Sequence, residues 1–473
     1  MPAEYTSPTR IKYIGPEVVA WRKGHGIFIE GSQFSNAYKK KWTDGMYYPG
    51  YKLVPNPTRL FLGAGLAQRL NQELNAGLVR IPPRLPVFDS STPWETLRDY
   101  QREVLALIAM RHWGRVALAT NAGKGAVIAL FANAAANGGL RTLILCDEIA
   151  VFDALRDEVR LWGKIEPALI QAGYGDTPPE VPVTIAMQPS LYRKVKGAEQ
   201  KAWAEWLQSM DVLLVDEADR SLGDSWKKIF GWCENTHWRI GFSGTFAEPD
   251  TIAALKQEEL YGPILHYVGN EELIDRKISA KPHVLFHQIE HELPRRPATW
   301  YATRNEAGHM AGGAKRAWVY ENTVWSSAAR MALIRSLLDQ EAINVVIVRS
   351  LVHGPAVAEA LGAPFLSGSS RAKERTATLD ALAAGDVRVL VTTSILDRGT
   401  NKLGMATNLI FASGEGSNTQ TLQRVGRGLR RTGGKDYICV HDIMDTGHPY
   451  LDRQTRQRIK LYAAQNFETE IVA

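Results

Sequence analysis

The chain has 473 residues, 45% of them hydrophobic and 22% charged, and a net charge of +6. That length is too great for one ordinary core and fits two or three globular domains; no stretch approaches ~20 uninterrupted apolar residues, so a membrane span is not expected. The opening "MPAEYTSPTR" lacks a basic-then-apolar leader, and Cys146, Cys233 and Cys439 match no metal spacing, so buried thiols in a reducing cytoplasm are expected.

The charge is concentrated at the N-terminus. Residues 1–90 hold 12 Lys and Arg against 6 Asp and Glu, while the rest of the chain holds 44 of each sign. A basic module on a neutral body points to a polyanion, most often nucleic acid, over the plainer reading of a solvated surface. Lys39, Lys40, Lys41 and Trp42 combine phosphate-binding charge with a stacking face; a structural cap with a solvated lysine run is the alternative. Residues 1–88 are read as a small basic α+β domain, ending in the linker-like run "IPPRLPVFDSSTP".

From there on, short apolar runs alternate with helical stretches. "RVALAT", "RTLILCD", "VPVTIAM", "DVLLVDEAD" and "WRIGFSGT" predict strands over 89–280. The pattern restarts with "HVLFHQIE", "NVVIVRS", "VRVLVTTS", "NLIFASG" and "DYICVHD" over 281–445, with helix predicted in "ENTVWSSAARMALIRSLLD". Runs that are apolar on every side, set between helices, indicate parallel sheets covered on both faces. The fold class is therefore α/β, two tandem parallel-sheet domains behind the basic N-terminal one, with a helical tail over 446–473.

Three stretches carry chemistry. "RVALATNAGKGAVIALFANAA" supplies a strand, a tight turn and a helix start at Lys124, the parts needed to cradle phosphates on backbone N–H groups while the lysine neutralises oxygens. "DVLLVDEADR" sets Asp216 and Glu217 at the carboxyl end of an apolar strand, where ligands bind in parallel sheets. Asp216 suits Mg²⁺ on a nucleotide, and Glu217 suits orienting and deprotonating the attacking water. "QTLQRVGRGLRR" offers arginines, which stay charged and present a rigid fork of donors to a departing phosphoryl group.

In this order the residues resemble the superfamily 2 helicases and translocases, whose core is two RecA-like domains. "LRDYQ" resembles the segment in which glutamine, Gln101 here, contacts adenine. "ATNAGKG" resembles motif I, giving Thr120, Asn121, Ala122, Gly123, Lys124 and Gly125 as nucleotide-binding positions. "DEAD" (216–219) matches motif II, and "SGT" (Ser243, Gly244, Thr245) resembles motif III, which couples nucleotide state to nucleic-acid contact. "LILCDE" and "IAMQPSL" sit where the family contacts the strand backbone. Gln423, Arg424, Gly426, Arg427 and Arg430 match motif VI, with Arg427 and Arg430 as the finger candidates and Gln423 beside the nucleotide. "VLVTTSILDRGTN" resembles motif V, with Asn401 near the family's usual acidic position. Motif III as "SGT" and motif VI beginning in glutamine resemble the DNA-directed branch of restriction-type motors and phage UvsW-type helicases more than the DEAD-box RNA helicases. The stretch 38–74 is similar to the small leading domain of UvsW-type proteins.

The resemblance implies an ATP- and Mg²⁺-dependent enzyme, a DNA helicase or translocase that tracks one strand of forked, branched or duplex DNA. Unwinding or branch migration in phage-type replication, recombination or repair would follow, in the host cytoplasm if phage-encoded. Movement without strand separation and an RNA helicase remain open, and so does oligomeric state, a monomer being compatible. Gly125 raises a different alternative. It stands where motif I carries the Ser or Thr that gives its hydroxyl to Mg²⁺. Either a water fills that ligand position, since Mg²⁺ commonly keeps several, or the protein binds nucleic acid without hydrolysing ATP. His283, His287 and His291 lie at four-residue spacing, but their Val/Phe/Ile-rich setting predicts a strand, and no metal site is expected there.

Overall fold

A computed structural model describes residues 3–7, 10–14, 27–28, 46–47, 52–55, 58–74, 78, 82–172, 175–301, 312–393, 405–413, 425, 429 and 435–472. They fall into two units, residues 1–119 with 123–269, and residues 270–473 together with the loop residues Thr120–Ala122. No helix among the described residues is long and apolar enough to cross a membrane.

The first unit opens with antiparallel strands β1 (Ala3–Ser7), β2 (Arg10–Ile14), β3 (Ile27–Phe28), β4 (Met46–Tyr47), β5 (Lys52–Pro55) and β6 (Thr58–Gly63). Four of them form a sheet in the order β1-β2-β6-β5, and β3 pairs with β4. A short helix α1 (Ala67–Leu74) follows. Residues 84–94, which read as a linker, pack as a strap on helix α3 (Lys124–Asn137), with α2 (Asp99–Arg111) intervening in the chain. Val87 N donates to Ala134 O (2.7 Å), and Phe88 sits between Trp94 and Phe131, with ring centres 5.3 and 6.4 Å away. The prolines leave few N–H groups to satisfy, so such a run can lie extended against a helix.

The parallel sheet of this unit contains β7 (Trp113–Leu118), β8 (Thr142–Cys146), β9 (Ala168–Ile170), β10 (Val183–Met187), β11 (Val212–Asp216), β12 (Trp238–Ser243) and β13 (Ile264–Val268), ordered β13-β7-β12-β11-β8-β10-β9. Helices α4 (Ile149–Leu161), α5 (Gln188–Lys194), α6 (Gln200–Gln208), α7 (Asp224–Trp232) and α8 (Ile252–Tyr261) connect them. Strands β7, β8, β10, β11 and β12 are buried at every residue, as their unbroken apolar runs demand. Helix α3 is almost as apolar: Val127, Ile128, Ala129 and Phe131 are fully buried.

The second unit starts with α9 (Asn270–Asp275) and holds a parallel sheet of β14 (Lys281–Glu290), β15 (Asn344–Ile347), β16 (Phe365–Leu366), β17 (Val389–Thr392), β18 (Asn408–Phe411), β19 (Tyr437–Thr446) and β20 (Glu468–Val472), ordered β16-β17-β15-β18-β19-β14-β20. Its helices are α10 (Gly312–Glu321), α11 (Ala328–Ser336), α12 (His353–Leu361), α13 (Ala372–Ala384) and α14 (Pro449–Ala464). Among the described residues the protein therefore carries two seven-stranded parallel sheets, the architecture of two tandem RecA-like domains. Two local differences from the sequence-based expectation stand out. The stretch read as one helix over 321–339 breaks, and α11 restarts where Ser327 Oγ accepts from Arg330 N (3.1 Å). The tail is helical only over α14, then returns as β20 parallel to β14.

One buried polar network ties the second unit together. The Arg330 guanidinium donates to Ala412 O (2.7 Å) and pairs with Asp445, whose Oδ1 also lies 2.6 Å from His291 Nε2. Desolvation opposes the charge on Asp445, but Arg330 and His291 outweigh it and hold its carboxyl below the usual range. Asp445→Asn strips the buried guanidinium of its counter-charge and is expected to cost about 3 kcal/mol at neutral pH. Because the folded pKa is depressed, this contribution is complete above about pH 4 and is lost as pH falls through the folded value. Urea unfolding should show a gap between the two proteins at neutral pH that closes on acidification; equal midpoints at neutral pH would contradict it.

Candidate active site

The lysine loop is built by the chain in three steps. Strand β7 ends at Leu118, residues 119–123 turn, and α3 begins at Lys124 with no side chain capping it. Gly123 has φ +80°, a left-handed conformation that lets the helix start directly behind the turn. Asn121 also has positive φ (+77°), which asparagine tolerates better than most residues. The uncapped N–H groups and the positive end of the helix dipole are what a phosphate needs. Thr120, Asn121 and Ala122 complete the turn in sequence. Gln101, buried in the first turn of α2, accepts from Arg98 N through Oε1 (3.0 Å) and donates from Nε2 to Gly123 O (3.3 Å), which places it at this loop.

Lys124 points to the end of β11. Its Nζ lies 2.7 Å from Asp216 Oδ1 and 3.2 Å from Glu217 Oε1. Desolvation works against the ammonium, but the two carboxylates outweigh it and raise its pKa above the ordinary lysine value. Asp216 is raised by its burial and by Glu217, against the pull of Lys124. Glu217 has φ +51°, a left-handed conformation that costs a non-glycine residue about 1–2 kcal/mol. The turn is held by Glu217 N donating to Asp216 Oδ1 (3.0 Å).

Asp219, the last residue of the "DEAD" run, connects this centre to Ser243. Ser243 Oγ donates to Asp219 Oδ1 (2.8 Å) and accepts from Thr245 N (3.0 Å), with Gly244 between them. Burial and then Glu217 push the Asp219 carboxyl up to about 7, against the Ser243 hydrogen bond. Helix α8 grips the same loop from behind. Gln257 Nε2 donates to Asp219 O (3.3 Å) and its Oε1 accepts from Ala247 N (3.1 Å), while Tyr261 Oη lies 2.6 Å from Ser221 Oγ. The next residue of α8, Glu258, takes a bidentate pair from Arg69 on α1 (2.9 and 2.6 Å). Gln257, Glu258 and Tyr261 were not singled out from sequence, because a helix after motif III carries no short signature. A second feature missed is Tyr192 on α5, approached by Lys228 of α7 (Nζ to Oη 3.4 Å) and by Lys196 (4.7 Å from the ring centre). Hydrogen bonds from Lys196 and Lys228 hold its phenol below the usual range. The four-residue spacing of Tyr192 and Lys196 was the available hint.

Of the expected site residues, Lys124, Asp216 and Glu217 come together within hydrogen-bonding distance, Gln101 meets Gly123, and Ser243 joins through Asp219. Lys39, Lys40, Lys41, Trp42, Asn401, Gln423, Arg424, Gly426, Arg427 and Arg430 lie outside the described residues. Their neighbours Val425 and Leu429 are buried in the core of the second unit. His283 and His287 are on strand β14 and His291 just follows it. Among the described residues no group of three or more His, Cys, Asp or Glu is placed to hold a metal ion by itself.

The order of these parts is matched by known families. Residues 95–248 match the model for the res subunit of type III restriction enzymes, and residues 336–432 match the helicase conserved C-terminal domain. These matches support a superfamily 2 helicase of the restriction-type branch. A Haloarcula marismortui relative named for the DNA 3'-5' helicase Rad25 is 24% identical over 364 residues, 76% of this chain and 54% of that protein. This superfamily 2 chain thus spans about half the length of that curated relative. The type ISP restriction-modification enzyme LlaBIII, solved bound to DNA, shares the fold over 80% of this chain and 31% of its own, with 15% identity and a TM-score of 0.58. T4 UvsW aligns over 100% of this chain and 99% of its own, at 16% identity and a TM-score of 0.43.

Within this helicase core, Gly125 has a local steric cause. A Cβ built there would stand 2.9 Å from Glu158 Cγ and 3.2 Å from its Cδ, so α4 packs into the space of the absent side chain. Gly125→Ser is expected to cost about 1–2 kcal/mol through this overlap, and Glu158→Ala in the same chain to recover most of it. Thermal unfolding of the wild type, both single variants and the double variant measures the coupling. Strictly additive losses would show that Glu158 does not dictate the glycine.

Proposed function

We propose that the chain is an ATP-dependent DNA helicase or translocase, with Lys124, Asp216 and Glu217 as its hydrolytic centre. The observation that carries this reading is the convergence of those three side chains at the carboxyl edge of a parallel sheet, at an uncapped helix start. The donor set fits a magnesium nucleotide: two carboxylates at the strand end, a lysine ammonium between them and an uncapped helix start. Bound Mg²⁺ would supply charge neutralisation on the phosphates, with Asp216 as its protein ligand and water where Gly125 offers no hydroxyl.

The chain's own residues then do the following. Thr120, Asn121, Ala122, Gly123 and Gly125 present backbone N–H groups to the phosphates, and Gln101 selects the base. Lys124 exchanges its carboxylate partners for phosphate oxygens, which releases Asp216 and Glu217 from their ammonium. Glu217, fixed by its strained backbone, orients the attacking water and takes its proton. Arg427 and Arg430 are assigned to the departing γ-phosphate and Gln423 to the nucleotide, on the motif VI pattern. Asp219 and Ser243, with Gly244 and Thr245, pass the change in this centre on to nucleic-acid contacts.

The substrate is proposed to be DNA, gripped by phosphate contacts that are independent of sequence and sensitive to salt. Lys39, Lys40, Lys41 and Trp42 of the basic N-terminal domain (1–88) are assigned to that grip, with 89–280 and 281–445 as the motor domains. Strand separation or branch migration on forked DNA is the proposed outcome, as the resemblance to UvsW-type proteins implies. Gly125 supports one rival, a nucleic-acid-binding protein that does not hydrolyse ATP.

ATP turnover across a Mg²⁺ titration, with and without forked DNA, separates them. DNA-stimulated turnover is expected, falling at least a hundredfold in Lys124→Ala and in Glu217→Gln, in line with removal of a central catalytic group. No turnover at any Mg²⁺ concentration, with DNA binding intact, would establish the binding protein instead.

A further inference from the structure

The second unit carries a cationic and aromatic patch that none of the helicase motifs includes. Strands β14 and β19 run parallel and end at the same edge of the sheet. The chain after β14, helix α10 and the first turn of α14 gather at that carboxyl edge around a cluster of Val319, Tyr320, Val324 and Leu451, against which Trp300, Trp318 and Tyr450 pack. Carboxyl edges are where α/β sheets receive ligands.

Trp300 organises the surface side of this cluster. Its ring packs edge to face on Trp318, with centres 5.4 Å apart. The Arg296 guanidinium lies 5.0 Å from the Trp300 ring centre and the Lys315 ammonium 5.4 Å. Two cations drawn from different segments are thus held by one indole, through attraction to the negative face of its ring. Arg453 lies over Tyr450 in the same way, at 5.6 Å. Among the described residues no carboxylate forms an ion pair with Arg296, Lys315 or Arg453. Beside them Tyr301 is 70% exposed. The stretch 293–318 holds five basic residues and one acidic one.

Cations placed side by side without counter-charge repel each other, and a polyanion relieves that repulsion. An exposed aromatic ring next to them suits a base. We propose that this patch is a binding site for single-stranded DNA, with Arg296 and Lys315 on successive phosphates and Tyr301 stacked on a base. The inference rests on the reading of the chain as a DNA motor, and it adds a contact point on the second unit. The indole of Trp300 acts as a positioning group that fixes the two cations.

The test uses the full chain, a labelled oligothymidylate and a salt titration, without nucleotide. Arg296→Glu with Lys315→Glu should weaken binding and lower the slope of log affinity against log salt by about 1.4, two phosphate contacts at about 0.7 each. Tyr301→Ala should weaken binding about tenfold, and Tyr301→Phe should restore it, because stacking needs the ring and not the hydroxyl. All three variants should keep the wild-type thermal midpoint and DNA-free ATP turnover. An unchanged salt slope with unchanged affinity in Tyr301→Ala would overturn the site while leaving the motor intact. A wild-type chain that neither binds the oligonucleotide nor responds to DNA in ATP turnover would overturn the motor reading as well.

Discussion

The charge balance among Lys124, Asp216 and Glu217 is the constraint on which the rest of the first unit depends. Three ionisable groups share one buried corner, with Lys124 Nζ 2.7 Å from Asp216 and 3.2 Å from Glu217. Two carboxylates side by side in a desolvated site are costly unless a cation sits between them. Lys124 is that cation, and it reaches them only because Gly123 takes a left-handed turn and starts α3 at once. The whole of α3 must then be buried at a fixed angle on the sheet, which its apolar length and the proline-rich strap achieve. On the proposed function, a phosphate chain would take the ammonium away from the carboxylates, and its binding would change the forces on the loop after β11.

That loop is not free to absorb the change locally. Asp219 is hydrogen-bonded to Ser243, its carbonyl accepts from Gln257, and Ser221 is tied to Tyr261. Gln257 and Tyr261 flank Glu258 on one helix, and Glu258 is clamped by Arg69 through two hydrogen bonds. A series of polar contacts therefore joins the loop after β11 to α8 and α1, within the one unit. Contiguity of this kind is a physical route and not yet a measured coupling. Its partners are side chains with one preferred geometry, so a shift at Asp219 would move α8 as a body. Tyr192 and Lys228 sit on helices that follow β10 and the "DEAD" loop, and Lys196 in the turn after the first of them.

What could be read from the sequence was decided by burial. Each of the ten strands expected from apolar runs is present, and the seven of them that are buried at every residue, such as β8, β11 and β15, have no polar face to break the run. In the two parallel sheets the strands that escaped notice are β9, β13, β16 and β20, the four edges of those sheets. Edge strands bury one side at most. In β20 residues Glu468 to Ile471 are exposed, and in β13 Ile264 is exposed, so neither leaves a hydrophobic signature. Their pairing is specified by backbone hydrogen bonds, to which composition is blind. The candidate site was legible for a related reason: Lys124, Asp216 and Glu217 follow buried strands directly, so spacing along the chain fixes their place in space. Gln257, Glu258, Glu158 and Arg69 come from helices whose facing is set by tertiary packing, and no local pattern reports it.

Gly125 shows how the two levels meet. As a lone letter it reads as a missing magnesium ligand. In the fold it is the point where a Cβ would stand 2.9 Å from the Glu158 side chain of α4. A glycine in the first turn of a helix costs up to about 1 kcal/mol against alanine, so its presence needs a compensating gain. Close packing of α4, whose Phe152, Leu155 and Val159 are buried, supplies one. Loss of the hydroxyl and tight approach of the helix are then one structural choice, which leaves the three charged groups untouched. A hydroxyl is readily replaced by water because it is neutral, whereas exchange of Lys124 would leave Asp216 and Glu217 buried side by side without a cation. Gly125 thus changes a neutral position of the loop and leaves its charged neighbours in place.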